Sequence, residues 1–570
     1  MAEEVWMLQT KKADFKQIGA RFRIDPVTAR IIRNRGIEGE AAIARYLNGT
    51  LDDLYDPMLL KDMERAVSIL CEAVDTGKKI RIVGDYDIDG VCSTYILLQA
   101  FERLGSDVDF EIPDRIKDGY GINESIIEQA HADGVEVILT CDNGISAFHQ
   151  VELAKKYGMT VVITDHHEVP LDGEKEKIPP ADAVIDPKQA DCPYPFPEIC
   201  GAVVAYKLVQ VLYARRGVPQ MEWLDLLEFA AIATVGDVMK LQDENRILVK
   251  YGLKKMAQTK NLGLRRLAEK NNLDLGAITA YHIGFVIGPC LNAGGRLKTA
   301  KEALALLRAQ SEEEAERLAE ELKELNDTRK DMTEQGTEAA KLQVESWYQK
   351  DKVLVVFLPE CHESLAGIIA GRLRKYYQKP AIVLTRGEEA VKGSGRSIDE
   401  YHMFKKLTEV SDLLLKFGGH PLAAGLSLEE KNIDEFRRRL NENAGLTEED
   451  FKAKVWIDVP MPVGYVTERL VRELSCLEPF GQGNEKPLFA EKSLRIRASR
   501  VLGRNRNVVK MTLEETDGHA IEALYFGDGT AFEEERAGRR EIDVVYYPDI
   551  NEYNGRKTLQ AVIRRYKFRG

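Results

Sequence analysis

Between about residues 79 and 186 the apolar positions change period again and again. The β-branched run in "KKIRIVG" gives way to "GVCSTYILLQAFERLG", whose apolar residues recur at helical spacing. "VEVILT", the helical "ISAFHQVELAKKYG", "TVVIT" and "ADAVID" continue the alternation. Short apolar strands separated by helices predict an α/β lobe on a parallel sheet covered on both faces. The functional edge of such a sheet lies beyond the carboxyl ends of its strands.

Residues 187–300 read as largely helical, "WLDLLEFAAIATVGDVM" being the most apolar stretch. From 301 to about 348 leucines at helical spacing run through a charged, proline-free segment, which predicts one or two long helices joining two lobes. A surface coiled coil fits that stretch equally well. A smaller α/β unit begins at 352 with "KVLVVFLP", the helix-like "ESLAGIIAGRLRKYY" and "AIVLT". From about 452 the pattern turns to some five strands with turn residues between them, as in a small β-barrel, an OB-fold foremost. The expected organisation is an N-terminal segment (1–50), a catalytic lobe (51–300), a connecting helix (301–350), a second lobe (351–451) and a barrel (452–570).

Composition changes this picture little. No run reaches the roughly 18–20 apolar residues of a membrane span, and the acidic opening "MAEEVWMLQTKKADF" is not a signal peptide. Eight cysteines without a C-x-x-C pair predict reduced thiols and a cytoplasmic location. The net charge of −13 argues against a protein that coats DNA generally, but residues 492–510 carry seven Lys or Arg and no acid.

Three strand ends carry similar chemistry. "VGDYDIDG" brings Asp85, Asp87 and Asp89, "TCDNG" brings Asp142, and "TDHHE" brings Asp165, His166 and His167. Asp237 interrupts the apolar "ATVGDVM". Any one of these aspartates alone is a helix cap or turn residue. Together, at one sheet edge, they repel one another unless a cation neutralises them. Mixed oxygen and imidazole ligands suit Mn²⁺ well, Mg²⁺ or Zn²⁺ less specifically, and so many ligands favour two ions.

The triplet Asp165-His166-His167 and "DYDIDG" resemble the DHH phosphoesterases. "PDRIKDGYG", "GPCLNAGGRL", "HESLAGIIAGRL", "GSGRS", "GGHPLAAG" and "LEPFGQGNEKPLF", in this order from 113 to 489, resemble the RecJ family, bacterial single-strand-specific 5′→3′ exonucleases. One departure is "HES", where that family often has His-Glu-Gly. The resemblance implies that Asp85, Asp87, Asp142, His166 and Asp237 hold two Mn²⁺ or Mg²⁺ ions, with His167 beside them and Asp89 a ligand or structural. It implies that Arg115, Ser394 and Arg396 receive a 5′-phosphate and that Arg296 grips a backbone phosphate. His362 would orient the scissile phosphate, and Gly418, Gly419 and His420 would form the glycine-rich motif of the accessory DHHA1 lobe. In the barrel, Arg495, Arg497, Arg500, Arg504 and Arg506 would track DNA phosphates, with Tyr525, Phe526, Tyr546 and Tyr547 as candidate stacking rings. A monomer, acting in recombination and repair with a single-strand-binding protein and a helicase and with no membrane partner, is the family expectation. Two other readings share parts of this site: a DHH phosphodiesterase or phosphatase for short oligonucleotides or nucleotide messengers, and a non-catalytic DNA-binding relative.

Overall fold

Strands Ile80–Val83, Val108–Glu111, Val137–Cys141, Thr160–Thr164 and Ala183–Ile185 form one parallel sheet, the second of them lying outside the first. In a computed structural model that describes residues 4–116, 118–119, 121–553 and 555–569, every residue of the first and third strands is buried. Strands covered on both faces are largely apolar, which is why they read as runs and not as alternation; the buried Arg81 is paired with Asp109 and Asp133. Strand order reverses between the first and third strands, so a crevice opens beyond their carboxyl ends. "GDYDIDG" and "CDNG" lead out of those two ends. Helix Ile88–Arg103 leaves the first crevice loop and packs against helices Gly201–Arg215 and Leu227–Gly236.

Residues 312–343 form a single helix of 32 residues. Ser311 caps it by accepting the Glu314 amide, and three glutamates in its first turn suit the positive end of the helix dipole. Ala315, Leu318, Ala319 and Leu322 are buried, and the helix packs on Leu262–Lys270 and Gly288–Leu297. At its far end Ala340 joins Leu354, Val356 and Ile369 in the core of the second lobe. That lobe is a five-stranded mixed sheet. Leu354–Phe357 and Ala381–Arg386 are parallel and bridged by helix Ala366–Tyr377; Val391–Arg396, Ala423–Leu428 and Leu414–His420 extend the sheet antiparallel.

The chain divides into two compact units, Leu54–Ala453 and Glu4–Asp53 with Lys454–Gly570. In the second unit, strands Phe489–Leu502, Val508–Glu514, Ala520–Phe526, Arg556–Phe568 and Glu541–Tyr553 pair in that order, and the last pairs back to the first. This closes a five-stranded barrel and leaves those strands no open edge. Residues 1–50 read from sequence as a separate segment, but Ile31, Ile32, Ile43 and Tyr46 share a core with Leu470, Leu474, Phe489 and Tyr546. Arg35 adds a buried ion pair with Asp458 at 2.7 Å. Short N-terminal helices with one apolar face need a partner to cover it, and no periodicity says which partner. No helix among the described residues is long and apolar enough to cross a membrane.

Candidate metal centre and phosphate cluster

Asp87 caps helix Ile88–Arg103, one carboxylate oxygen accepting the amides of Asp89 and Gly90 at 2.9 and 3.2 Å. The preceding turn is tight: a Cβ on Gly90 would lie 2.3 Å from the Asp85 carbonyl oxygen. Asp142 follows the third strand at φ 61°, a left-handed conformation that costs most residues energy and that Asp tolerates. Gly201 packs on it, since a Cβ there would come within 2.7 Å of the Asp142 Cβ. Asn143 ties the two strand ends together, donating to the carbonyls of Val83 and Cys141, both at 3.0 Å.

Asp165 is buried and positions the histidines. One of its oxygens accepts the His166 amide at 2.8 Å and lies 2.7 Å from His167 Nδ1, while the other accepts the Ile145 amide. His166 Nε2 lies 3.1 Å from Asp142 Oδ1, 3.5 Å from Asp89 Oδ2 and 3.8 Å from Asp237 Oδ2. Asp85, Asp87 and Asp142 form one set of potential ligand atoms within 4.8 Å of one another, and Asp142, His166 and His167 form a second. Asp89, His166 and Asp237 form a third, so Asp142 and His166 are shared between sets.

Asp89 is engaged differently. Its two oxygens accept the Gly201 and Ala202 amides, each at 2.7 Å, so it anchors the N-terminus of helix Gly201–Arg215. These bonds give Asp89 a structural role beside its place in the third ligand set.

The electrostatics of the cluster are unfavourable without a cation. Burial, then neighbouring carboxylates, raises Asp85, Asp142 and Asp89 above the usual range and Asp237 to about 8. His166 is pushed down by burial, although Asp89 opposes it. Burial also opposes the charge on His167, yet the Asp165 hydrogen bond raises it to about 9. Asp85 Oδ1 and His166 Nδ1 are buried without a hydrogen-bond partner. Carboxylates crowded in this way, with orphaned ligand atoms among them, fit divalent cations held by oxygen and imidazole.

A cluster of guanidinium groups lies within electrostatic reach of the acids, Arg115 acting on Asp85 and Asp87 on Arg296. Arg296 is lowered to about 10, first by burial and then by Arg115, Arg329 and Arg396. Arg396 is lowered by burial and then by Arg115 and Arg374; it donates to Ser394 Oγ at 3.1 Å and to the Gly395 carbonyl at 2.8 Å. Arg115 lies over the Tyr86 ring at 4.4 Å. Lys117 and Tyr120 of the same motif lie outside the described residues. Arg296 donates to the Ser364 carbonyl at 3.0 Å, and Ser364 Oγ lies 2.8 Å from His362 Nδ1. The serine of "HES" thus holds the imidazole through a contact that glycine cannot make. Gly418, Gly419 and His420 are exposed on an antiparallel strand, and His420 joins Lys188 in holding Glu168, next to the DHH triplet, below its usual range.

Arg329 and Arg374 had no sequence signal, being two among many cations on charged helices. Each has a buried Nε without a hydrogen-bond partner.

In the barrel, Arg495, Arg500 and Arg504 are exposed. Arg497 is not available in the same way: it forms a two-pronged ion pair with Glu514 on the adjacent strand. Arg506 donates to Thr530 Oγ1 at 2.9 Å. Tyr546 and Tyr547 are core residues, and Tyr525 packs against Phe532 and Tyr566; Phe526 is exposed. Strand alternation separates Tyr525 from Phe526, whereas Tyr546 and Tyr547, at a register shift after Val545, are both buried.

A parallel sheet with acids and imidazoles at its switch point, a cluster of arginines within electrostatic reach and a mixed accessory lobe after it define a phosphoesterase of the DHH class. Matches to family models agree: "DHH family, N-terminal domain" over residues 79–234 and "DHHA1 domain" over 350–445, with "RecJ OB domain" over 457–565. The chain belongs to the RecJ family. It is 36% identical to the single-stranded-DNA-specific exonuclease RecJ of Bacillus subtilis, over 98% of this chain and 70% of that protein. It is 34% identical to RecJ of Escherichia coli over 95% of both. The crystal structure of Thermus thermophilus RecJ in complex with Mn²⁺ superimposes with a TM-score of 0.84 at 28% identity, covering 99% of this chain and 79% of that one. A second structure of that protein holds Mg²⁺.

Proposed function

We propose that this protein is a single-stranded-DNA-specific exonuclease that works 5′→3′ and releases 5′-mononucleotides, using Mn²⁺ or Mg²⁺. The observation that carries the reading is a pair of clusters in one compact unit, buried carboxylates with imidazoles at the switch point and buried guanidinium groups within electrostatic reach of them. Asp85, Asp87 and Asp142 would hold one ion, and Asp142, His166, His167 and Asp237 the other. Bound there, the ions supply a water of lowered pKa and stabilise charge on the phosphoryl oxygens during in-line displacement.

The chain's own groups do the rest. Asp165 fixes the orientation of His167, and Asp89 fixes the helix that packs on Asp142. Arg115, Ser394 and Arg396 hold the terminal 5′-phosphate, where a planar guanidinium can donate two parallel hydrogen bonds. Arg296, joined by Arg329, grips the next phosphate, and His362 orients the scissile one. A fixed spacing between end pocket and metals would measure off one nucleotide and set the polarity. Gly418, Gly419 and His420 bring a backbone edge close to the strand. Arg495, Arg500 and Arg504 supply phosphate contacts in the barrel, and Arg497 and Arg506 join them on release from their present partners. A cytoplasmic monomer working with a single-strand-binding protein and a helicase completes the proposal, on the strength of family membership.

The test is a single-stranded oligonucleotide labelled at either end, with Mn²⁺ and with EDTA. Immediate release of labelled mononucleotide from the 5′ label, and a shrinking ladder from the 3′ label, is the expected result. Cleavage of dinucleotides alone would replace this reading with that of a short-oligonucleotide phosphodiesterase. Arg396→Ala should weaken 5′-phosphorylated ends more than 5′-hydroxyl ends; equal losses would remove Arg396 from the end pocket.

A further inference from the structure

The helix that ends near Arg296 starts with two rings in water. Ala280–His282, the π-helical turn Ile283–Ile287 and Gly288–Leu297 follow one another without a break. Ile283, Ile287, Cys290 and Leu291 are its buried face. On another face Tyr281 and Phe285 are 63% and 68% exposed. Their rings stack on each other, centroids 4.8 Å apart and planes 28° from parallel. A single exposed apolar residue needs no explanation, but two large rings pre-stacked in solvent form a patch with a shape.

The turn beneath them is wedged against the metal-bearing segments. A Cβ on Gly284 would lie 3.6 Å from Val235, two residues before Asp237, and one on Gly288 would lie 3.2 Å from Ile88, which stands between Asp87 and Asp89. Val238, directly after Asp237, is exposed with φ at 57°, a left-handed conformation that a β-branched residue adopts only under constraint. π-turns recur at functional sites, where the extra residue redirects side chains.

We propose that Tyr281 and Phe285 are a stacking platform for nucleobases of the single strand whose phosphates occupy the metal and arginine clusters. The occupant follows from continuity with that site. Phe285 and Arg296 lie about 16 Å apart along one helix at 1.5 Å per residue, so a single element offers ring faces at one end and a guanidinium at the other. Ring faces and cations spaced along one binding path are the combination that holds single strands without sequence preference. Each ring uses one face on its neighbour and leaves the other for a base.

This rests on the exonuclease reading, so the first readout avoids hydrolysis. Fluorescence anisotropy of a labelled single strand in EDTA is compared for the wild type, the Tyr281→Ala/Phe285→Ala double variant and the aromatic-preserving Tyr281→Phe/Phe285→Tyr variant. The double variant should bind roughly 5- to 100-fold more weakly, and the aromatic pair should restore binding. The same strand carrying one abasic nucleotide, moved stepwise from the 5′ end, should weaken the wild type at one or two positions and leave the double variant indifferent there. In turnover with Mn²⁺ the loss should fall on KM more than on kcat. Unchanged binding in the double variant, or a penalty that ignores which base is missing, would overturn the platform. Because binding is read without hydrolysis, a wild type that binds but cleaves no strand would sink the exonuclease reading alone.

Discussion

Two buried polar clusters lie in the same lobe and behave in opposite ways. Lys207 and Glu244, 1% and 0% exposed at their side chains, meet at 3.0 Å; Tyr194 donates to the same carboxylate, and Lys207 also donates to the Tyr55 carbonyl at 3.1 Å. Positive and negative charge arrive together there, supplied by the chain itself. Asp85 and Asp142 are just as buried, yet Asp89, Asp87, Asp85 and Asp237 surround Asp142 with charge of its own sign. The first cluster is complete as folded. The second keeps charge that the chain does not neutralise, and under the proposed function a cation completes it and a phosphate completes the arginine cluster near it. Burial alone therefore does not mark a functional site; burial without internal neutralisation does.

Asp142→Asn tests the contrast most severely. Asn tolerates the left-handed backbone, so the fold should persist while activity falls by at least about 10³-fold, since a group serving both ion sites loses its charge. Mn²⁺ should stabilise the wild type by about 2.7 kcal/mol at 100 times the dissociation constant, read as a higher melting temperature, and this increment should shrink in Asp142→Asn. A fully active variant would place the ions elsewhere. Lys207→Ala should do the reverse, costing about 3–5 kcal/mol in unfolding free energy with the Mn²⁺ increment retained in whatever fraction stays folded. Loss of less than about 1 kcal/mol would mean that Glu244 finds another cation.

A third buried acid refines the comparison. Glu228 accepts from Thr259 at 2.6 Å, but burial raises it to about 7, and its other oxygen has no partner. A carboxyl whose folded pKa is raised contributes stability below its unfolded pKa and loses it as pH climbs to the folded value. The wild type should therefore lose stability between about pH 4.5 and pH 7. Glu228→Gln should make that slope shallower and be more stable at pH 8 by about 1–3 kcal/mol, read by thermal melting across pH. Equal melting curves at every pH would show that the carboxylate is already neutralised.

The smallest effect is expected in the barrel. Arg500→Ala should lower the salt slope of strand binding by about 1, while Arg497→Ala, whose charge Glu514 already meets, should lower it by less. Equal changes would mean that Arg497 leaves Glu514 for DNA.

Much of this architecture was legible in the chain. Alternating strand and helix periods predicted the parallel lobe, the second α/β lobe and the barrel, because those patterns are local consequences of covering both faces or one face of a sheet. The acids at the strand ends were legible for a related reason. An apolar run followed at once by Asp85, Asp87 or Asp142 marks both the end of a buried strand and an exposed chemical edge. Pairing was not legible. Nothing near Arg497 announces Glu514, nothing in Asp89 announces the amides of Gly201 and Ala202, and nothing in the charged helix singles out Arg329.

The periodicity and the placement of polar residues within a few positions of one another determined which segments become strands and helices and which strand ends carry ligand chemistry. Only the tertiary structure decided which charges are neutralised by the chain and which are left for a metal or a phosphate. It also joined residues 4–53 to the core of the distant barrel. The reason is physical: hydrogen-bonded periods repeat over a few residues and are written into short stretches of sequence. Electrostatic neutralisation and core burial depend on distances of a few ångströms between groups that stand 17, 112 or more than 400 positions apart.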